Sequence, residues 1–143
     1  MIDEARYALK LRRGLRQEIE ANASTGYPNE SCGLLIGVHN KNQTIVEHVT
    51  AALNLNVERS RDRYVLDPDD FVHADRLASA SGLDVVGIWH SHPDHPAEPS
   101  QTDLEAAWPR YSYVIVSVTK GSAGPIRSWR LANGRFEEER LEL

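Results

Sequence analysis

Gly87-Ile88-Trp89-His90-Ser91-His92-Pro93, followed shortly by Ser100-Gln101-Thr102-Asp103, is the part of the sequence from which the fold and the chemistry can be worked out. Leu83–His92 begins apolar and ends polar, which predicts a strand that enters the core and emerges at a surface. Successive side chains of a strand point to opposite faces, so His90 and His92 lie on the same side. Two imidazoles fixed in this way need only one more protein ligand to form an open metal site.

A proline-rich loop and a short helix follow the two histidines. Three prolines make Pro93–Pro99 a rigid loop. Ser100–Trp108 then predicts a helix, which Pro109 stops. Its first turn can fold back toward the histidines, so that Asp103 supplies a carboxylate and a water completes the coordination. Ser100 and Asp103 also have the spacing of a helix capping pair, which is compatible with metal binding.

The remaining segments alternate strands with further helices. Apolar runs bounded by turn residues predict strands at Arg6–Leu11, Cys32–Val38, Thr44–Leu53, Tyr64–Leu66 and Tyr113–Val118, and a hairpin of Arg127–Leu131 with Arg135–Leu143 around Asn133-Gly134. The mixture predicts an α/β or α+β sandwich with a mixed central β-sheet flanked by about three helices.

Two amphipathic helices are predicted before the histidines. In the first, Leu11, Leu15 and Ile19 recur at a four-residue step, and Gly26-Tyr27-Pro28 ends the helix. The second has Asp67 as its N-cap and Pro68 at its first position, and it stops at Gly82. Its inner face is predicted to comprise Phe71, Ala74, Leu77 and Ala78.

Composition and charge narrow the class of protein. The 143 residues suffice for one domain, 1–143, and 41% hydrophobic with 26% charged residues is an ordinary soluble composition. The net charge is −5 and the basic residues are scattered, so we expect no nucleic-acid partner. The single cysteine, Cys32, excludes an intramolecular disulfide. No apolar segment approaches the roughly 20 residues that span a bilayer, so we expect a cytoplasmic protein without membrane contact.

Glu30 becomes informative when it is combined with the later residues. Glu30-Ser31-Cys32-Gly33-Leu34-Leu35, then His90-x-His92, seven residues, Ser100, two residues and Asp103 resembles the pattern of the JAMM metallopeptidases, also called MPN-plus or Mov34. In length and element order the chain is similar to the small bacterial members of that family. His-Ser-His-Pro at 90–93 and the stretch Ala97–Asp103 resemble especially the bacterial enzymes that act on ubiquitin-like sulfur-carrier proteins. The resemblance implies the JAMM/MPN sandwich, which is cytidine-deaminase-like.

The resemblance also implies a role for each polar residue of the pattern. His90, His92 and Asp103 would hold one zinc ion, and Glu30 would pass a proton from the attacking water to the leaving amine. Ser100 would donate a hydrogen bond to the oxyanion, a role that competes with helix capping for the same hydroxyl. Family members of this kind hydrolyse a peptide or isopeptide bond after the C-terminal Gly-Gly of the carrier's tail, releasing an amino acid such as cysteine or a longer tail.

Two other interpretations compete with this one. His90 to His95 also spells His-x-His-x-Asp-His, which resembles the metallo-β-lactamase superfamily. That kind of site needs further histidine and acidic ligands downstream, whereas no histidine follows His95 and 143 residues are too few for a duplicated sandwich. The second is a non-catalytic MPN scaffold that binds a protein partner, although such scaffolds typically lack the metal ligands present here.

Some residues keep two interpretations. The polar segment Asn54–Arg63 is a candidate loop for contacting the carrier, but its arginines are equally explained as solubility charges. Cys32 is predicted to be a small core residue rather than a reactive thiol. His95 is predicted to lie at the rim of the site rather than on the metal. The sequence names neither the carrier, the leaving group nor the oligomeric state.

Overall fold

The computed structural model describes residues 5–143, which form seven strands and three helices. The strands are β1 (Ala8–Leu11), β2 (Cys32–Asn40), β3 (Gln43–Ala52), β4 (Asp84–Pro93), β5 (Ser112–Thr119), β6 (Ser122–Ala132) and β7 (Arg135–Glu142). The helices are α1 (Leu15–Gly26), α2 (Pro68–Ala80) and α3 (Gln101–Ala106). None of these three helices has the length and apolar character needed to cross a bilayer.

The strands form one mixed sheet in the order β1-β3-β2-β4-β5-β6-β7. Because β1 pairs with both β3 and β7, the sheet closes into a barrel. β4 and β5 run parallel, whereas β2 is antiparallel to both of its neighbours. The predicted mixed sheet with about three helices is therefore confirmed, and the closure through β1 is an addition that the sequence did not indicate.

Helices cover both faces of the central strands β2 and β4, which is why these strands are apolar on both sides. One buried cluster joins α1 to the sheet and includes Leu15, Ile19, Ala23, Leu35, Val86 and Trp89. The other joins α2 to the opposite face and includes Leu34, Ile36, Ala74, Ala78 and Val85. The two clusters pack against opposite faces of β4, so they fix the position of its polar end.

The structure of α2 confirms the predicted N-cap and most of the predicted inner face. Asp67 caps it by accepting a hydrogen bond from the Asp69 backbone N–H at 2.9 Å. Ala74 and Ala78 are buried as predicted. Leu77 is 47% exposed, so the prediction that it belongs to the inner face is wrong. The two alanines at i and i+4 let the helix approach the sheet along a narrow stripe, which excludes the neighbouring leucine.

The prediction of a strand at Tyr64–Leu66 is wrong. Only Leu66 forms a bridge, with Asn54, and Leu55 N–H donates to the Val65 carbonyl oxygen at 2.8 Å. These bonds make a short irregular ribbon outside the barrel rather than a strand of the sheet. Its consequence is that Tyr64 lies beside the functional site.

The strand β6 begins at Ser122, well before the predicted start at Arg127. The part of β6 that the sequence did not predict, 122–126, contains Gly124 and Pro125, and both residue types are disfavoured within strands. The pairing of β5 with β6 shifts register between Val116 and Val118, opposite this segment. An irregularity of this kind accommodates a proline because one ladder hydrogen bond is missing there.

The strands β2 and β3 and the indole of β4 meet closely at Gly33. A Cβ atom at this position would clash with the Thr50 carbonyl oxygen and with Nε1 of Trp89. The indole crosses the glycine and donates a hydrogen bond to Thr50 at 2.9 Å. The absence of a side chain at Gly33 thus lets Trp89 tie β4 to β3 just before the histidines.

Candidate metal centre

The three predicted ligands lie together at the end of β4 and the start of α3. His90 Nε2 lies 3.1 Å from His92 Nε2, and Asp103 Oδ2 lies 3.3 Å and 3.2 Å from these two nitrogens. The three atoms form a nearly equilateral triangle, which we call the ligand triangle, and both histidines are buried. A cation resting on it would be bound by two imidazoles and one carboxylate.

His92 is oriented by the proline loop. The carbonyl oxygen of Pro96 lies 2.8 Å from its Nδ1 and fixes the proton there, which leaves Nε2 free as a ligand atom. Asp94 fastens the same loop by accepting hydrogen bonds from the Tyr27 hydroxyl at 2.6 Å and the Lys120 N–H at 3.0 Å. The Asp94 carboxylate is therefore engaged away from the ligand triangle.

Tyr64 forms a wall of the site that the sequence did not reveal. Its ring stacks on His90, with ring centroids 4.7 Å apart. His90 has no exposed surface, and its Nδ1 has no hydrogen-bond partner within residues 5–143. The only sequence signal for Tyr64 is a single aromatic residue at the end of a polar loop.

Glu30 reaches the ligand triangle through the pairing of β2 with β4. The antiparallel register places Cys32 opposite His90. One residue further, Ser31 N–H donates to Ser91 Oγ at 2.8 Å, and Ser91 N–H donates to the Ser31 carbonyl oxygen at 3.0 Å. The register therefore brings Glu30 level with the second histidine. Because a sequence does not show strand register, only the family resemblance pointed to this residue.

The surroundings of Glu30 favour its protonated form. The residue is 6% exposed, and its Oε1 has no hydrogen-bond partner among the described residues. Burial raises the pKa of Glu30 to about 8, and the charge of His92 opposes that rise. A carboxyl group that titrates near neutral pH can both accept and release a proton during a reaction.

The surroundings of Asp103, in contrast to those of Glu30, favour the charged carboxylate. Burial acts to raise its pKa, but hydrogen bonds from His90 and His92 hold the pKa of Asp103 below its usual range. Burial lowers the pKa of His90. Burial also acts to lower the pKa of His92, but its bonds to Asp103 and Pro96 outweigh this and raise it. The site thus holds a permanent carboxylate beside its imidazoles, as a cation would require.

Ser100 and Asp103 form the predicted capping pair of α3. Ser100 Oγ accepts a hydrogen bond from Asp103 N–H at 3.0 Å, and Asp103 Oδ2 accepts one from Ser100 N–H at 2.8 Å. The cap occupies a lone pair of Oγ and leaves the hydroxyl proton available. The expected competition between capping and donation is therefore wrong, because the two roles use different parts of the hydroxyl.

A cleft of about 400 Å³ reaches the ligand triangle at His92. Its lining includes Glu30, Arg63, His92, His95 and Ser100. His95 is exposed and lies outside the ligand triangle, as expected for a rim residue. Cys32 is buried in the core, and burial raises the pKa of its thiol to about 12, which makes it a poor nucleophile.

Comparison with known proteins gives a family match over most of the chain. The sequence profile of the family described as prokaryotic homologs of the JAB domain matches residues 12–132. The CysO-cysteine peptidase of Mycobacterium tuberculosis is 32% identical over 138 residues, which cover 96% of this chain and 92% of the relative. The desampylase of Haloferax volcanii is 36% identical over 114 residues, which cover 76% and 80%.

A solved structure resembles the whole fold. The crystal structure of a JAB1/MPN domain protein from Archaeoglobus fulgidus superposes with a TM-score of 0.53 at 21% identity, covering 95% of this chain and 94% of that one. At this level of identity the similarity concerns the fold alone. The expected JAMM/MPN architecture is confirmed.

Proposed function

Because the chain belongs to the family of prokaryotic homologs of the JAB domain, we propose that it is a zinc-dependent metallopeptidase that acts on ubiquitin-like sulfur-carrier proteins. It would hydrolyse the bond after the carrier's C-terminal Gly-Gly and release an amino acid such as cysteine or a tail. The names of the peptidase and the desampylase among its relatives support this substrate class. The observation that carries the proposal is the ligand triangle with the buried Glu30 beside it, whose Oε1 has no hydrogen-bond partner among the described residues.

The size of the ligand triangle supports zinc as the metal. Zinc binds imidazole nitrogen at about 2.0–2.1 Å and carboxylate oxygen at about 2.0–2.2 Å, usually with tetrahedral geometry. Tetrahedral bonds of that length separate neighbouring ligand atoms by about 3.3–3.6 Å. The sides of the triangle measure 3.1, 3.2 and 3.3 Å, so His90, His92 and Asp103 need little rearrangement to hold this ion.

The residues around the ligand triangle divide the chemistry of hydrolysis. Zinc would act as a Lewis acid on the scissile carbonyl and acidify the attacking water. The Glu30 carboxylate would take a proton from that water and give it to the leaving amine. The Ser100 hydroxyl would donate a hydrogen bond to the carbonyl oxygen as it becomes anionic. One C–O bond forms, the C–N bond breaks, and the amine departs with the proton that Glu30 carried.

The state of Glu30 favours catalysis over the scaffold alternative. Burying a carboxyl group without a hydrogen-bond partner lowers the stability of a fold. Proteins retain such groups where activity needs them, and a scaffold that only binds a partner would gain nothing from this one. The buried Oε1 of Glu30 is therefore better explained by proton transfer.

We also propose that residues 1–143 act as one domain in the cytoplasm. The two buried clusters lie on opposite faces of the same central strands, which supports a single folding unit. The free, buried thiol of Cys32 suits a reducing compartment.

The test is hydrolysis of a carrier that ends in Gly-Gly-Cys. A ubiquitin-like sulfur carrier is prepared as its Gly-Gly thioester, ligated to cysteine, and followed by mass spectrometry. The zinc-loaded protein should release cysteine, a chelator should stop the release, and added zinc should restore it. Glu30→Gln should keep its zinc and lower kcat by a factor of about 10²–10⁴, the usual contribution of a general base.

A matched control separates the role of Glu30 from a general loss of charge. Glu105→Gln removes an exposed glutamate on α3 and should retain wild-type turnover. Release of cysteine that a chelator does not affect would contradict the proposed chemistry. Substantial turnover by Glu30→Gln would remove this residue as the base.

A further inference from the structure

Arg63 lines the metal cleft together with Glu30, and it forms no ion pair with any other residue of 5–143. Its side chain is only partly exposed, and its Nε is buried without a hydrogen-bond partner within residues 5–143. The buried or partly buried ion pairs use other arginines, among them Arg16, Arg127 and Arg130. A planar guanidinium in a cleft with no anion of its own is suited to bind a carboxylate from a ligand.

Apart from Glu30, the two acidic residues that line the cleft are already engaged in ion pairs. Asp62 pairs with Arg59, and Glu98 pairs with Arg127 at 3.3 Å. The positive charge of Arg63 still acts on the site, because it lowers the pKa of Glu30 against the effect of burial. Arg63 and Glu30 line the same cleft, so one small ligand bound there can contact both.

Asn54 sets the position of Arg63 relative to Glu30. Its side-chain amide nitrogen donates to the carbonyl oxygen of Glu30 at 3.1 Å and to that of Arg63 at 3.0 Å. Its Oδ1 accepts hydrogen bonds from the N–H groups of Asn56 and Val65, each at 3.0 Å. One side chain thus ties the segment before β2 to the segment that carries Arg63. The spacing between the two charged residues is built into the structure.

We propose that Arg63 binds the free α-carboxylate of the single amino acid that follows the scissile bond. The inference rests on the proposed function, because it takes Glu30 as the group that protonates the leaving amine. The amine and the carboxylate of an amino acid are attached to the same carbon. A carboxylate bound at Arg63 would therefore place the leaving amine beside Glu30.

This contact defines the preferred substrate class. When an isopeptide bond to lysine is cleaved, the leaving amine is attached to a side-chain carbon that bears no carboxylate. When a longer tail is removed, the corresponding group is a neutral amide. Neither group can form the bidentate, charge-assisted pair that arginine makes with a carboxylate. Arg63 would therefore favour a carrier extended by one residue with a free C-terminus.

The test compares two carriers that differ in one group. The Gly-Gly thioester of a ubiquitin-like sulfur carrier is ligated to cysteine in one and to cysteinamide in the other. Wild-type enzyme loaded with zinc should cleave the free acid with a kcat/KM about 10–100-fold above that of the amide, as expected for a charge-assisted hydrogen bond. Arg63→Gln should lower kcat/KM for the acid to that for the amide, with its zinc content unchanged.

Binding gives a readout that needs no turnover. In the Glu30→Gln background, calorimetry should give a Kd about tenfold or more lower for the acid than for the amide. Adding Arg63→Gln should abolish that difference. Arg61→Gln removes an exposed arginine of the same loop and should leave the difference unchanged, as the matched control.

The outcomes separate this inference from the proposed function. Equal cleavage of acid and amide by the wild type, or a preference that survives in Arg63→Gln, would overturn the role of Arg63 and leave the peptidase activity intact. Cleavage of neither carrier by the zinc-loaded wild type would overturn the proposed function together with the inference. If Arg63→Gln does not fold, Arg63→Lys should show a reduced preference, because it keeps the charge without the planar fork, and an unchanged preference would count against the proposal.

Discussion

At the scale of single residues, two carboxyl groups of one cleft are driven to opposite protonation states. Glu30 is buried, its Oε1 has no hydrogen-bond partner within residues 5–143, and burial raises its pKa to about 8. Asp103 is partly buried, but the two histidines and the Ser100 N–H hold its pKa below the usual range. Separated pKa values of this kind distinguish a proton carrier from a permanent anion. Glu30 is therefore suited to move a proton, and Asp103 to hold a cation.

The pH dependence of stability tests the environment of Glu30. This carboxyl group titrates near 4.5 when unfolded and near 8 when folded, so the folded protein binds more protons between these values. Its contribution to the free energy of unfolding is present below the unfolded pKa and is lost as the pH rises through the folded pKa. Glu30→Gln does not titrate, so the free energy of unfolding of the metal-free variant should exceed that of the metal-free wild type by about 4–5 kcal/mol above pH 8 and by little near pH 4.

Urea unfolding of chelator-treated samples at both pH values measures this difference. Equal differences between variant and wild type at the two pH values would show that Glu30 is not held in a protonated state by burial.

Ser100 should combine a structural and a catalytic role. Ser100→Ala removes the N-cap of α3, which should cost about 1 kcal/mol of stability, and it removes the hydroxyl donor, which should lower kcat by about 10²–10³. Asp67→Ala removes the N-cap of α2 away from the cleft, so it should cost similar stability with kcat unchanged. Kinetics, urea unfolding and zinc content check both variants. A loss of kcat in Ser100→Ala no larger than that in Asp67→Ala would leave Ser100 with capping alone.

At the scale of elements, the position of the two histidines depends on how β4 is held by its neighbours. The Trp89 indole passes over Gly33 and bonds the Thr50 carbonyl oxygen, which leaves no room for a side chain between them. Two hydrogen bonds between Ser31 and Ser91, one of them to the Ser91 hydroxyl, then continue the pairing of the strands to the site. Any change that separates these strands should disturb both the fold and the position of Glu30.

Gly33→Ala should destabilise the protein by about 2–3 kcal/mol, because the added methyl group must displace the indole or the neighbouring backbone. Gly124→Ala is the matched control, since a Cβ there meets only the Ser117 carbonyl oxygen at an ordinary 3.6 Å. Urea unfolding at neutral pH measures both. A Gly33→Ala variant as stable as Gly124→Ala would show that the close contact across β2 is absent in solution.

Elements with strong local signals could be predicted from the sequence. Asp67 and Pro68 mark the start of α2 because capping depends only on adjacent residues. The strand prediction at Tyr64–Leu66 is wrong because this segment bridges to Asn54 outside the sheet, a contact that the local sequence pattern does not show. The sequence does not predict the start of β6 because proline disfavours a strand, and the register shift in β5 that accommodates Pro125 is visible only in the structure.

At the scale of the whole molecule, the site is assembled from three segments that are distant in the sequence. His90 and His92 share a strand face and Asp103 opens the next helix, so their convergence could be predicted from local geometry. Glu30 arrives through the register of β2 on β4, and Tyr64 and Arg63 arrive through the ribbon outside the barrel. These contacts depend on tertiary pairing, which is why the sequence identified the ligands and needed the family resemblance for the base.

The most direct test of the central claim is the zinc content of the purified protein, measured by elemental analysis beside Asp103→Ala and His95→Ala. We predict about one zinc per chain in the wild type and in His95→Ala, and its loss in Asp103→Ala, because among residues 5–143 it is Asp103 that completes the ligand triangle with the two histidines. Absence of zinc from the wild type even after reconstitution, or full zinc in Asp103→Ala, would contradict the account.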